Sequence, residues 1–253
     1  MRPLRAGFLA ATAVTVAGAL TGRHHWQWAA KPLMMPLLAA DIATGRADIA
    51  PADRTLLLSS LGAATVGDVL LIDPDDDRRL ITGASAFAVM QTGYAALWWR
   101  YGARPSPAVA VPRLLAWAGA AALLRAKAPV LAAPLSAYGA TLGTAAVLAS
   151  DPALAAVADN VAGLNIPNAD PRSRLGVGAL LFTVSDGLIV LRRLFARGER
   201  ARRVLEAVIL ATYGAAQFLL ADPAAHARTP LGAAEPERIS AGSAQAPPDT
   251  IHA

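Results

Sequence analysis

Three ionisable residues lie inside long apolar stretches of the chain. Lys31 stands in Lys31-Pro32-Leu33-Met34-Met35-Pro36, Asp68 in Gly67-Asp68-Val69-Leu70-Leu71, and Asp186 in Phe182-Thr183-Val184-Ser185-Asp186-Gly187-Leu188. With lipid as the solvent, each costs several kcal/mol unless paired, so such a group marks function by default. The two acids share a context, a small residue before (Gly67, Ser185) and leucine two after. Each is followed by a span carrying polar groups, Gln91 and Tyr94 after the first, Tyr213 and Gln217 after the second. The chain enters the membrane before Lys31 on the side towards which it leaves after Asp68 and Asp186. At ~1.5 Å per residue all three sit roughly 6–9 Å below one interface. Two carboxyls and an ammonium at one depth can work as an acid–base pair, as a proton relay, or as polar glue between helices.

The elements that must position them are membrane spans. Of the 253 residues, 55% are hydrophobic and 16% charged, against about 25% charged in an ordinary soluble domain, and mean hydropathy is +0.42. Apolar runs near 4–21, 26–41, 55–72, 80–99, 108–124, 128–150, 174–192 and 203–221 predict an all-α, polytopic transmembrane bundle of about eight spans over 1–221. Eight such helices in a soluble chain of this length would lack the polar faces to cover them. Residues 1–20 have the basic start of a signal peptide, but the repeated spans that follow make this a retained first span. Gly139 and Gly143 form a GxxxG pair suited to close helix packing.

Between the spans, residues 150–174 read as an exposed loop and 222–253, rich in Pro, Ala and Ser, as a disordered tail. Asp73-Pro74-Asp75-Asp76-Asp77 reads as a solvated turn, since it lacks the spaced ligands and turn glycine of a calcium loop. Arg113 reads as an interfacial anchor, and Trp26, Trp28, Trp98 and Trp99 as an aromatic belt. Arg192, Arg193, Arg197, Arg200, Arg202 and Arg203 put the loop between spans seven and eight in the cytoplasm and both termini outside, although arginines over alternate loops nearly balance.

Several function classes fall away. Cysteine is absent, which removes disulfides, thiolate ligands and thiol nucleophiles. His24, His25, His226 and His252 all lie outside the apolar runs, so no metal or other cofactor is expected. The net charge of +5 has no basic soluble domain behind it, so no nucleic-acid partner is expected. No GxSxG, HExxH or P-loop pattern occurs.

In order along the chain, Lys31 to Pro36, Gly67-Asp68, Gly83 to Phe87 leading to Tyr94, Gly178 to Phe182 leading into Ser185-Asp186, and Tyr213 to Gln217 resemble the YhhN-like lysoplasmalogenases, an integral-membrane family. The resemblance runs from about residue 31 to 221. It departs at Gln91, where family members often carry histidine. Glutamine can hydrogen-bond there but cannot titrate near neutrality.

The resemblance implies hydrolysis of the vinyl-ether bond of a lysoplasmalogen or related lysolipid. Asp68 and Asp186 would be acid and base in either assignment, with Lys31, Gln91, Tyr94, Ser185, Tyr213 and Gln217 at the substrate. Other classes stay open: a small transporter or proton-coupled carrier using the same acids, or a non-enzymatic lipid-binding protein. The expected partner is a membrane lipid or lysolipid, with a homodimer left open. Arginine far outnumbers lysine and alanine abounds, which hints at a GC-rich bacterium and hence its inner (cell) membrane.

Overall fold

The computed structural model describes residues 2–72, 75–155, 158–161 and 163–228. They form eight long helices: α1 (Pro3–Thr21), α2 (His24–Thr44), α3 (Pro51–Leu70), α4 (Asp77–Arg100), α5 (Pro107–Lys127), α6 (Pro129–Ala149), α7 (Leu175–Phe195) and α8 (Glu199–Leu220). A helix is found at the place of every expected span, its ends moved by a few residues. The starts follow local chemistry. Proline stands at the first helical position of α1, α3, α5 and α6, where its missing N–H is no loss. The Asp76 carboxylate caps α4 by accepting from Arg79 N at 2.9 Å. The tight α1–α2 turn rests on Gly22 at φ 72°, a conformation that suits glycine.

Six of the eight helices, α1 and α4 to α8, are long and apolar enough to cross a membrane. Their outward side chains are apolar too, among them Leu114, Leu115 and Val130. The protein is an integral membrane protein. The two less apolar helices, α2 and α3, have comparable lengths and carry Lys31, Asp41, Asp53 and Asp68, all buried.

Seven helices make a closed ring in the order α1, α2, α3, α4, α6, α7, α8, with α8 returning to pack on α1. Glycines allow the close approaches. A Cβ on Gly214 of α8 would lie 2.5 Å from Thr12 of α1, and one on Gly67 of α3 would lie 2.7 Å from the Phe87 ring of α4. Met34, Leu38, Leu57, Leu61, Phe87, Met90, Leu97 and Phe182 fill the interior. Helix α5 stands outside the ring, and its chief neighbour is α6.

Several expectations change. The 150–174 connection is not simply exposed: it holds 3-10 turns at Pro152–Leu154 and Pro171–Arg174 and a hairpin of β1 (Asn160–Val161) with β2 (Leu164–Asn165). Ser150, Asn165 and Ser173 within it are buried, because their side chains bond the backbone, as Asn165 does to Asp151 O at 3.2 Å. Trp98 is no belt residue, because α4 turns it inward against Tyr94, 5.4 Å between ring centroids. Gly143 does not pack closely either, since nothing lies within 4 Å of a Cβ built on it.

Of the expected tail, 222–228 are described and 229–253 lie outside the described residues. Pro223–His226 form a short helix, α9. His226 is buried, its Nε2 2.7 Å from Leu220 O and its Nδ1 3.2 Å from the Tyr101 hydroxyl. Burial holds the imidazole below the ordinary histidine range.

Candidate active site

At the membrane face where α3 leads to α4 and α7 to α8, one narrow pocket of about 40 Å³ draws side chains from five helices. Lys31, Asp68, Ser185, Asp186, Arg192, Glu206 and Tyr213 line it, with Phe87, Phe182 and other apolar groups as walls. Three ionisable residues far apart in sequence thus meet in one space large enough for a few waters. Their matched depth was legible in the chain. Their convergence depends on the ring.

Lys31 does not snorkel. It is buried and donates from Nζ to the Leu71 carbonyl at 2.9 Å, where α3 ends. The helix C-terminus offers unsatisfied carbonyls, so an ammonium suits that place. From there it lies within electrostatic reach of Asp68. Asp68 Oδ2 accepts from the Tyr213 hydroxyl at 2.8 Å. Asp186 accepts from the Tyr138 hydroxyl of α6. Each carboxyl is therefore held by one tyrosine from another helix, Asp68 from across the ring and Asp186 from the adjacent α6. The Ser185 hydroxyl lines the pocket but spends its proton on Ile209 O of α8, 3.0 Å away.

Three of the residues expected at the site stand back from the pocket. Tyr94 donates to Gln217 Oε1 at 2.9 Å, and Gln217 Nε2 rests 3.1 Å from Met90 Sδ, both deep between α4 and α8. Gln91 is buried, and its side chain neighbours Tyr138. It reaches Asp186 through that tyrosine.

Tyr138, Arg192 and Glu206 are members that the sequence did not single out. Tyr138 is an amphipathic residue in a strongly apolar span, which was its only signal. Arg192 pairs through Nε with Glu206 Oε2 at 3.1 Å and through Nη1 with Asp75 Oδ1, also at 3.1 Å. Asp75 also binds Arg202, and Asp77 binds Arg193. Asp73 and Pro74 lie outside the described residues; Asp75, Asp76 and Asp77 are exposed, as a solvated turn requires, and Asp75 and Asp77 also tie it to α7 and α8. Burial pushes the Asp75 carboxyl up, and Arg192 and Arg202 outweigh it, leaving it below the ordinary carboxylate range.

Asp186 faces a second space as well. Between α4, α5, α6 and α7 lies a chamber of about 300 Å³, almost wholly apolar, that shares Leu71, Phe87, Asp186 and Ile189 with the polar pocket. Arg113 closes its far end, bonded to Val109 O at 2.9 Å and Ser150 Oγ at 2.8 Å. It is therefore more than an interfacial anchor. Among the described residues, no three His, Cys, Asp or Glu side chains gather as a metal site.

The sequence model of the YhhN family matches residues 26–224. The chain belongs to the YhhN family. The match begins in α2 and ends just past α8, so every residue of both cavities falls within the YhhN region. No curated protein and no solved structure matches the chain.

Proposed function

We propose that this YhhN protein is a membrane hydrolase that cleaves the vinyl-ether bond of a lysoplasmalogen or a related single-chain lipid in a bacterial cell membrane. The observation that carries the reading is the pair of carboxyls, Asp68 and Asp186, lining one pocket. Enol-ether hydrolysis needs a proton on the β-carbon, then water on the oxocarbenium ion that results. The hemiacetal so formed breaks its C–O bond to leave a fatty aldehyde and a glycerophospho-alcohol. Two carboxyls can share these tasks, as they do in glycoside hydrolysis.

In this reading the roles divide by position. Asp186 borders both the polar pocket and the apolar chamber, the place where a chain would join its headgroup, and so delivers the proton. Asp68 lies on the polar side with Lys31 and Tyr213, and so takes a proton from the attacking water. Lys31 and Arg192 supply positive charge towards a phosphate. A proton carrier would need polar groups leading on from Asp186 to the other face, and the chamber beyond it is apolar as far as Arg113.

The test is aldehyde release from a lysoplasmalogen by the detergent-purified protein, beside Asp68→Asn and Asp186→Asn variants that keep the native melting profile. Release by the native protein and loss in both variants supports the reading. Undiminished release by either variant, or none from well-folded native protein, overturns it for this substrate.

A further inference from the structure

The chamber behind Asp186, at about 300 Å³, is several times the volume of the polar pocket it adjoins. It extends along α5 from Arg113 to Leu124 and along α6 from Leu135 to Ala146, roughly 16 Å at ~1.5 Å per residue. Its α5 wall combines Trp117 and Leu124 with the small side chains Ala116, Ala120 and Ala121. On the opposite walls, Gly143 of α6 and Gly187 of α7 both line the space, and a Cβ on either would meet nothing within 4 Å. Five small residues on three helices thus leave one long cleft, open on its outer side where Ala116, Ala120 and Gly187 are exposed. A long apolar cleft that runs into a polar pocket has the form of a ligand site.

We infer that the chamber takes a single lipid hydrocarbon chain, its polar end at Asp186, and that Gly143 sets how long a chain fits. The inference rests on the hydrolase reading for the identity of the lipid, but not for the presence of the chain. Shape and lining commit it to one chain: the space is long, narrow and apolar, and continuous with a single polar pocket through Asp186. The far end is bounded by Arg113, whose guanidinium is fixed by Val109 and Ser150. Position along the helices separates the two glycines. Gly187 neighbours Asp186, near the pocket, whereas Gly143 lies towards the end of α6 that meets Ser150 and Arg113. A side chain at 143 therefore shortens the chamber from its far end. Helix α5 gives the chain a way in from the bilayer, since it stands outside the ring on α6 and does not seal against α4 or α7.

The probe is a saturated alkyl-ether lysophosphocholine, which has no vinyl group and cannot be cleaved, in a short-chain and a long-chain form. Affinity is measured for the native protein, for Gly143→Leu and for Gly119→Leu, the last on the exposed outer face of α5 where a Cβ also meets nothing. Native protein should prefer the long chain. Gly143→Leu should bind it about tenfold more weakly, as expected when a couple of methylenes lose their burial. It should bind the short chain as before, and Gly119→Leu should change neither. Equal affinities of Gly143→Leu and native protein for both lengths, or a native protein indifferent to length, would overturn the inference.

Should Gly143→Leu fail to fold, a bromine on the probe's chain answers the same question, because Trp117 lines the chamber. Quenching that disappears in Trp117→Phe supports occupancy, and quenching unchanged in that variant sinks it. Binding is read here without catalysis, so length selectivity without aldehyde release from a vinyl-ether lipid would keep the chamber and remove the hydrolase.

Discussion

Tyr213 of α8 donates a 2.8 Å hydrogen bond to Asp68 Oδ2 of α3, joining two helices that are not neighbours in the ring. The bond crosses the interior of the bundle and fixes one carboxyl oxygen. The other oxygen is left to the pocket.

Tyr213→Phe keeps the ring against Phe87 and Phe182, at 5.8 and 5.6 Å between centroids, and removes only the hydroxyl. Turnover of the vinyl-ether substrate should fall about tenfold to a hundredfold, because a hydrogen bond to a charged group is worth about 1.5–3 kcal/mol. Asp68→Asn should cost at least about a thousandfold. Comparing kcat for the two variants checks the order. A Tyr213→Phe enzyme as inactive as Asp68→Asn would make the hydroxyl itself a reacting group.

Gln91 neighbours Tyr138 and is not among the residues that line the pocket, so it acts at one remove from the carboxyl. Gln91→Ala should lower kcat several-fold and leave KM nearly unchanged, while Tyr138→Phe, which frees Asp186 directly, should cost more. The pH–rate profile of Gln91→His should keep the shape of the native one. A new inflection near pH ~6.5, where an unperturbed imidazole titrates, would place position 91 in the proton path.

The clasp of Asp75 with Arg192 and Arg202 gives a pH dependence whose sign follows from the lowered carboxyl. A depressed folded pKa adds stability that is complete above the unfolded value of ~3.9 and lost as pH falls through the lower, folded one. Thermal unfolding of Asp75→Asn should therefore lie a few degrees below that of native protein near neutrality, with the curves converging below pH ~4. A constant gap through that range would assign the effect to packing.

The spans were legible because each is a long apolar run punctuated by proline, glycine or charge. Lys31, Asp68 and Asp186 were legible because a charge in such a run is costly and conspicuous. Arg192 and Glu206 were not, since an arginine near a span end reads as part of a basic loop until its partner on the next helix is seen. Trp98 was misplaced because a tryptophan near a span end looks the same whether it turns outward or inward. Nor could periodicity place α5 outside the ring. Its sequence is as apolar as that of α6, and which helix becomes peripheral is decided by contacts among all eight.

Closure of the ring by α8 against α1 also has a meaning in time. A chain made from its N-terminus produces Lys31 and its acceptor at Leu71 only 40 positions apart, within one helical hairpin. Tyr213 follows Asp68 by 145 positions. The carboxyl thus comes off the ribosome with its cation already made and its hydroxyl partner still to be translated. One half of the site belongs to a local hairpin, and the other arrives only with the last span.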